Sequence, residues 1–293
     1  MVLKAYLDDS GSPANPDHSY LTVAGYLADD GHWALFEERW GQALEAAGVP
    51  YLHMREFGNR DSKIYRHLKA DPIKELDFIT SLVDAIDDSL WFCPGATVKL
   101  PDLHAFNAKH GLDIDPYAIA IYGCLIETRR DYRKDPVDLI FDAFEKSGTR
   151  VDLALDYARM DVAEDLKADL FTPTHLQDEE SFKTVLPLQA ADFVAWECRK
   201  SCEDRKDWKF TREDRSDPHR LRRSYLEWSI KTILETGKPP RARGSLKALH
   251  KHGSLRPRGF VWDEANLEAA LGHHPNGWTA PPRKRRRQRD GED

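Results

Sequence analysis

Near its N-terminus the chain reads VLKAYLDDSGSP (residues 2–13), an apolar run that ends in two acids and a turn. The run over residues 2–8 has the apolar content of a buried β-strand. The Ser, Gly and Pro residues that follow cannot extend it, because these residue types favour turns. Successive side chains of a strand point to opposite faces, so Asp8 and Asp9 are predicted to lie on opposite sides of the sheet. Only one of them is therefore expected to point into a given site.

Three more strands are predicted downstream. Residues 20–28 form the next apolar run, which would pair with the first strand as a hairpin with a long loop. Residues 90–100 and 137–144 have the same character, and the second of these runs is apolar except for Asp138 and Asp142. Asp142 is thus predicted to lie within a strand.

Helices are predicted where apolar residues recur at helical spacing behind a capping residue or a proline. The predicted starts are Asp30, Asp71-Pro72, Asp115-Pro116 and Pro187. Residues 152–166 predict another helix, and an irregular segment runs through residues 173–182. Strands followed by alternating helices and strands predict an α/β domain with a mixed β-sheet flanked by helices.

Composition narrows the class of protein. The chain has 293 residues, 41% of them hydrophobic, which is enough for a domain with a substantial core. It contains no apolar run of the roughly 18 residues that a transmembrane helix needs, and its start does not resemble a signal peptide. Four cysteines are too few for a disulfide scaffold. We therefore expect a cytoplasmic protein without membrane association.

Charge and composition divide the chain into three predicted parts. Residues 1–203 form the main domain, residues 204–282 a charged helical extension, and residues 283–293 a disordered basic tail without apolar side chains. The tail holds six basic and three acidic residues and has a net charge of +3. Because the whole chain has a net charge of −7, residues 1–282 carry −10. An acidic body does not fit a protein that passively coats duplexes. The tail either binds a nucleic-acid backbone, which we favour, or only solubilises the chain.

Three acids fall on separate elements whose other residues are mainly apolar. Asp8 ends the first strand, Asp142 lies on a later strand, and Asp192 lies on the helix that starts at Pro187. Taken singly, each acid could cap a turn or pair with a basic group. Three such acids together favour a site for a hard divalent cation such as Mg²⁺ or Mn²⁺. Two such ions about 4 Å apart can activate water and stabilise the leaving oxygen of a phosphodiester.

Several of these motifs resemble an uncharacterised bacterial family of predicted ribonuclease-H-like proteins. The resemblance is carried by Tyr6-Leu7-Asp8-Asp9-Ser10-Gly11, the isolated His53, Asp142 and Leu188-Gln189-Ala190-Ala191-Asp192. Members of the family usually open with Asp-Glu-Ser-Gly and close with a Gln-x-Ala-Asp helix. The similarity spans roughly residues 2–203 and implies a ribonuclease-H-like fold.

The resemblance also implies roles for individual residues. Asp8, Asp142 and Asp192 would be catalytic metal ligands, and Ser10, Ser181 and Gln189 would contact substrate. Gln189 lies one turn before Asp192 and would orient that carboxylate or the substrate. Asp9 stands where the family usually has Glu, and a shorter acid reaches less far toward a metal.

A second candidate motif is His53-Met54-Arg55-Glu56. His53 could shuttle a proton or contact phosphate, and Glu56 could be a fourth acid of the site. The motif could equally be an ordinary polar turn, and Glu127 and Asp9 are rivals for the fourth acid.

Cys198 and Cys202 lie one helical turn apart, but without a second pair they do not predict a zinc site.

The function predicted from these residues is hydrolysis of phosphodiester bonds in RNA or DNA by a nuclease that depends on Mg²⁺ or Mn²⁺. The sequence contains no glycine-rich phosphate loop, nucleophile elbow or dinucleotide fingerprint. Two alternatives remain. One is a catalytically silent binding module of a phage-defence or toxin system, and the other is a metal-dependent nucleotide hydrolase.

Overall fold

A six-stranded mixed β-sheet organises the protein. The computed structural model describes residues 2–59, 61–91, 93–142, 147–160, 166–176, 181–204 and 261–271. The strands are β1 (Leu3–Ser10), β2 (Tyr20–Ala28), β3 (Gly95–Lys99), β4 (Val137–Phe141), β5 (Phe171–His175) and β6 (Val261–Trp262). Their spatial order is β5-β4-β1-β2-β3-β6. β1, β2 and β3 are antiparallel, whereas β4 pairs in parallel with β1, β5 with β4 and β6 with β3. The predicted α/β class with a mixed sheet is confirmed.

Helices cover both faces of this sheet. They are α1 (Asp30–Ala47), α2 (Met54–Phe57), α3 (Arg66–Ala70), α4 (Pro72–Ser89), α5 (Leu100–His110), α6 (Pro116–Asp131), α7 (Ser147–Met160), α8 (Ser181–Thr184), α9 (Leu186–Asp204) and α10 (Glu264–Leu271). Buried residues of α5, α6 and α7 form one hydrophobic core with one face of the sheet. Those of α1, α4 and α9 form a second core on the opposite face. The central strand β1 is therefore packed on both sides.

The side chains of β1 alternate between these two cores. Leu3, Ala5 and Leu7 belong to the core with α6 and α7. Tyr6 packs in the other direction, with its ring centroid 4.7 Å from that of Trp33 on α1. This alternation places the Asp8 side chain on the α9 side of the sheet and the Asp9 side chain on the α6 side.

Capping residues define the helix starts, with one correction to the prediction. α1 is capped by Asp29 and not by Asp30, because Asp29 is extended and its Oδ1 accepts a hydrogen bond from the His32 backbone N–H at 2.9 Å. Asp30 is the first helical residue, and its carboxylate lies 2.7 Å from Lys4 Nζ. The capping roles predicted for Asp71 and Asp115 are confirmed, since each accepts hydrogen bonds from two backbone N–H groups of the first helical turn.

Element bounds differ from the prediction where proline or strand pairing sets them. β1 was predicted to end at Asp8 but continues to Ser10, because Asp9 and Ser10 also pair with β2. The strand predicted over residues 90–100 is reduced to β3, because Leu100 already begins α5, with Pro101 in its first turn. The next predicted strand ends at Phe141, so Asp142 is the first residue after β4, and residues 143–144 lie outside the described part. The segment predicted as irregular, residues 173–182, overlaps the end of β5 and the start of α8.

The helical predictions near the site shift by a few residues. α7 begins at Ser147, five residues before the predicted start, and residues 161–165 lie outside the described part of the chain. The helix predicted from Pro187 is confirmed as α9, which begins one residue earlier, at Leu186.

Part of the predicted C-terminal extension packs onto the main domain. β6 pairs with β3, and Trp262 is buried with its ring stacked on Tyr122 of α6 at 6.0 Å. α10 packs against α5, where Glu268 forms ion pairs with Lys109 and His110. Predictions for residues 205–260 and for the basic tail fall outside the described residues. Within the described residues, none of the helices combines the length and apolar character needed to cross a membrane.

Candidate carboxylate site

Four acids gather where the parallel strands β1 and β4 end. Leu7 pairs with Phe141 in the β1–β4 register, so Asp8 on β1 and Asp142, directly after β4, are the next residues along two neighbouring chain segments. α9 packs across β1 and β2 and contributes Asp192. Together with Asp9 we call these residues the carboxylate site. The topology thus brings together the three acids that the sequence analysis selected from separate elements.

Asp192 fixes the loop that carries His53. Its side chain is buried, with only 8% of the residue exposed, and Oδ2 accepts a hydrogen bond from the Met54 backbone N–H at 2.6 Å. The backbone N–H of His53 donates to the hydroxyl of Tyr65 at 3.0 Å. This hydroxyl in turn donates to the carbonyl of Tyr51 at 2.9 Å. The backbone N–H groups of His53 and Met54 are therefore both bound, and the loop is held beside Asp192.

Electrostatic repulsion links the members of the carboxylate site. Burial raises the pKa of Asp8 well above its usual range, and the charges of Asp192, Asp9 and Asp142 add to that rise. Burial raises the pKa of Asp192 to about 6, against the Met54 N–H and the charge of His53, which lower it. Asp142 contributes to the rise at each of the other three acids. Such mutual perturbation in one cluster is typical of functional sites.

Asp9 lies on the other side of the sheet and has a basic neighbour. Burial raises its pKa to about 7, Arg150 of α7 lowers it, and Asp192 and Asp142 raise it further. The Arg150 guanidinium lies 3.8 Å from the ring centroid of Tyr117, and its Nε is 3.5 Å from Asp115. Arg150 was not among the residues predicted from the sequence, because the predicted helix began after it.

His53 and Glu56 lie at the edge of the carboxylate site. His53 Nδ1 is 3.4 Å from Glu56 Oε1, and the Tyr51 hydroxyl donates to Glu56 Oε2 at 3.2 Å. The side chains of His53 and Glu56 are 27% and 36% exposed. His53 acts on the pKa of Asp192, whereas the described contacts of Glu56 are to Tyr51 and His53. The position of Glu56 suits orienting the imidazole.

Ser10 and Gly11 attach the end of β1 to α9. Ser10 Oγ accepts a hydrogen bond from Nε of the buried Arg199 at 2.9 Å. Gly11 has φ +104°, and a Cβ there would lie 2.5 Å from the carbonyl oxygen of Tyr20 and 2.9 Å from the Arg199 side chain. The Ser-Gly part of the opening motif therefore has a structural role. A substrate contact by Ser10 stays a prediction.

Gln189 makes three hydrogen bonds within the protein. Its Oε1 accepts from Trp40 Nε1 and from the Leu52 backbone N–H, both at 2.9 Å. Its Nε2 donates to the carbonyl of Phe182 at 2.9 Å. These partners differ from the predicted ones, Asp192 and substrate. Ser181 lies next to Phe182 at the start of α8, and its predicted substrate contact rests on a side chain outside the described part.

The donor chemistry of the carboxylate site suits a hard divalent cation, because carboxylate oxygens are the ligands that Mg²⁺ and Mn²⁺ prefer. Among the described residues, no group of three or more His, Cys, Asp or Glu side chains is arranged to hold a metal ion.

Glu127, a predicted rival for the fourth acid, pairs with Arg130 and lies ten residues, or about 15 Å, along α6 from Tyr117. It therefore lies away from the end of α6 that adjoins Asp9.

Comparison with known proteins does not identify a family, so the function has to be inferred from the contacts described above. No protein-family model and no curated protein matches this chain.

Proposed function

We propose that this protein is a ribonuclease-H-like nuclease that depends on Mg²⁺ or Mn²⁺ and hydrolyses phosphodiester bonds in RNA or DNA. The observation that carries the proposal is the carboxylate site. Its acids come from β1, the residue after β4, and α9, and they raise one another's pKa values. Burying carboxylates that repel one another costs free energy unless a cation or another favourable interaction offsets it.

The sheet supports the finer description of the fold. An antiparallel β1-β2-β3 unit is extended by parallel β4 and β5 on the β1 side. This arrangement agrees with the ribonuclease-H-like fold that the sequence motifs imply. Shared architecture alone does not define activity, so the proposal rests on the site.

Each described residue has a distinct role in the proposed site. Asp8, Asp142 and Asp192 would hold one or two divalent cations, which activate water and stabilise the leaving oxygen. His53 faces Glu56 through Nδ1, so Nε2 is the atom that would exchange a proton or contact phosphate. Asp9, beside Arg150, would set the local charge and is not assigned as a ligand.

A silent binding module is the second candidate. Two observations favour it. No three potential ligands are preassembled among the described residues, and three of the hydrogen bonds that the Gln189 amide can make go to protein groups. Such a module would keep the fold and the acids without turnover.

The test is a substrate panel with the full-length protein. Labelled single-stranded RNA, single-stranded DNA, duplexes and an RNA–DNA hybrid are incubated with Mn²⁺, with Mg²⁺ or with EDTA. The proposal predicts cation-dependent cleavage of at least one substrate and its loss in Asp142→Asn, which removes one charge at nearly constant shape.

The matched control is Asp138→Asn, the same substitution near the start of β4, where Asp138 pairs in register with Lys4. This variant should cleave at the wild-type rate. Cleavage that survives in Asp142→Asn, or that persists in EDTA, would contradict the proposal. Binding without cleavage of any substrate would favour the silent module.

A further inference from the structure

An aromatic cluster adjoins the carboxylate site on the α9 side. The ring centroid of Phe182 lies 4.6 Å from that of His53, with the ring planes at 35°, and 5.6 Å from that of Tyr51. Lys183 Nζ lies 5.7 Å from the centroids of both Tyr51 and Phe182. We call these four residues the aromatic shelf. All four residues are half-buried, and the His53 side chain is 27% exposed.

Gln189 joins the two segments that carry the shelf. It accepts from the N–H of Leu52, between Tyr51 and His53, and donates to the carbonyl of Phe182. One buried side chain thus holds the backbone of the 51–53 loop relative to the backbone of α8. A preorganised surface loses less conformational entropy when it binds a planar group.

The shelf is directly connected to the carboxylate site. Asp192 binds the N–H of Met54, the residue after His53, and His53 influences the pKa of Asp192. A group stacked on the shelf would therefore lie next to the carboxylates. The ammonium group of Lys183 gives this otherwise acidic region a positive charge suited to a phosphate.

We propose that the aromatic shelf binds an unpaired nucleobase, with Lys183 contacting an adjoining phosphate. This inference rests on the proposed function and defines its substrate class as single-stranded RNA or DNA. Aromatic rings bind bases by stacking on their faces, which are accessible in a single strand and covered in a duplex. The shelf is consequently a specificity site, separate from the acids.

The test measures binding without turnover. Fluorescence anisotropy of a labelled 12-nucleotide single strand, in RNA and DNA versions, is recorded with the full-length protein in EDTA, alongside a duplex of the same sequence. Wild type should bind a single strand more tightly than the duplex. Phe182→Leu should weaken that binding about tenfold, whereas Phe182→Tyr, which keeps the ring face, should retain it.

Two further variants separate stacking from general effects. Lys183→Gln should lower the slope of log affinity against log salt concentration by about 0.7. Trp91→Leu is the matched control, because Trp91 is 39% exposed and also packs against a histidine, His32, at 4.6 Å. This second pair lies near the opposite end of β1, where Trp91 N–H donates to Leu27. Trp91→Leu should leave binding unchanged.

Failure of this inference can be distinguished from failure of the proposed function. Equal affinity of wild type for single strand and duplex, or equal effects of Phe182→Leu and Trp91→Leu, would overturn the shelf even if cleavage occurs. Selective loss of binding in Phe182→Leu would support the shelf even if no substrate is cleaved. Melting curves of each variant establish that a loss of binding is not a loss of folding, and Phe182→Tyr tests the ring if Phe182→Leu does not fold.

Discussion

The two ends of β1 handle acidic residues in different ways. At its start, Lys4 Nζ lies 2.7 Å from Asp30, and the hydrogen bond to Asp30 together with the charges of Asp30 and Asp138 raises the pKa of Lys4. At its end, burial is the largest influence on the pKa values of the carboxyl groups. The charges of the neighbouring acids follow at Asp8, whereas at Asp9 the opposing charge of Arg150 ranks ahead of them. A surface acid is readily paired with a lysine. The buried acids at the other end lie instead among several carboxylates, which is the arrangement that the proposed cation site requires.

The largest expected effect is the dependence of stability on pH in the absence of metal. The folded-state pKa of Asp9, about 7, lies above the ordinary value of about 4, so between these values the folded protein keeps a proton that the unfolded chain has released. The free energy of unfolding should fall as pH rises through this window, by up to about 4 kcal/mol for this one group.

Urea denaturation in EDTA between pH 4.5 and 7.5 measures this slope. Asp9→Asn should reduce this slope and leave the part that Asp8 and Asp192 contribute. Asp30→Asn, at the other end of β1, should leave it unchanged. Stability that rises with pH across the window would show that the acids are not held at raised pKa values.

A smaller effect is expected from the turn that ends β1. Gly11→Ala should lower the free energy of unfolding by about 3 kcal/mol, because an alanine at φ +104° is strained and its Cβ would collide with the Tyr20 carbonyl. Gly111→Ala is the control, since φ is also positive, +65°, but nothing lies within 4 Å of a Cβ. It should cost about 1 kcal/mol. Similar losses for both variants in thermal unfolding would argue against close packing of Gly11 on Arg199.

The smallest effect is expected at the start of β1. Lys4→Met should change the free energy of unfolding by no more than about 0.5 kcal/mol, because the Lys4 and Asp30 side chains are 36% and 75% exposed. Chemical denaturation at low and high salt measures it. A loss above about 2 kcal/mol would mean that the ion pair at this end is a major source of stability.

Local patterns in the sequence predicted most of the architecture near the site. The bounds of β2, the caps Asp71 and Asp115, and the alternation of β1 follow from hydrogen bonds and side-chain directions set within a few residues. The cap of α1 was placed one residue late because Asp29 and Asp30 are equally good capping residues in sequence. The finer description of the fold and the function remain proposals.

Long-range contacts could not be predicted in the same way. Trp262 pairs with Val98 on β3, more than 160 residues earlier, and nothing local in the sequence marks that pairing. Arg150 reaches Asp9 and Gln189 joins Leu52 to Phe182 only after the helices have packed on the sheet. The sequence thus identified acids that the fold brings together, but not the groups that surround them.

Asp8, Asp142 and Asp192 are proposed to form a divalent-cation site, and this is the central claim. Its most direct test is the melting temperature of wild type and Asp142→Asn, each measured by calorimetry in EDTA and in excess Mn²⁺. We predict that Mn²⁺ raises the melting temperature of wild type by about 5 °C or more and leaves that of Asp142→Asn unchanged. In EDTA the variant should be as stable as wild type or more stable, because one repelling charge is gone. Equal Mn²⁺-induced shifts in the two proteins, or a loss of stability in Asp142→Asn without metal, would contradict the claim.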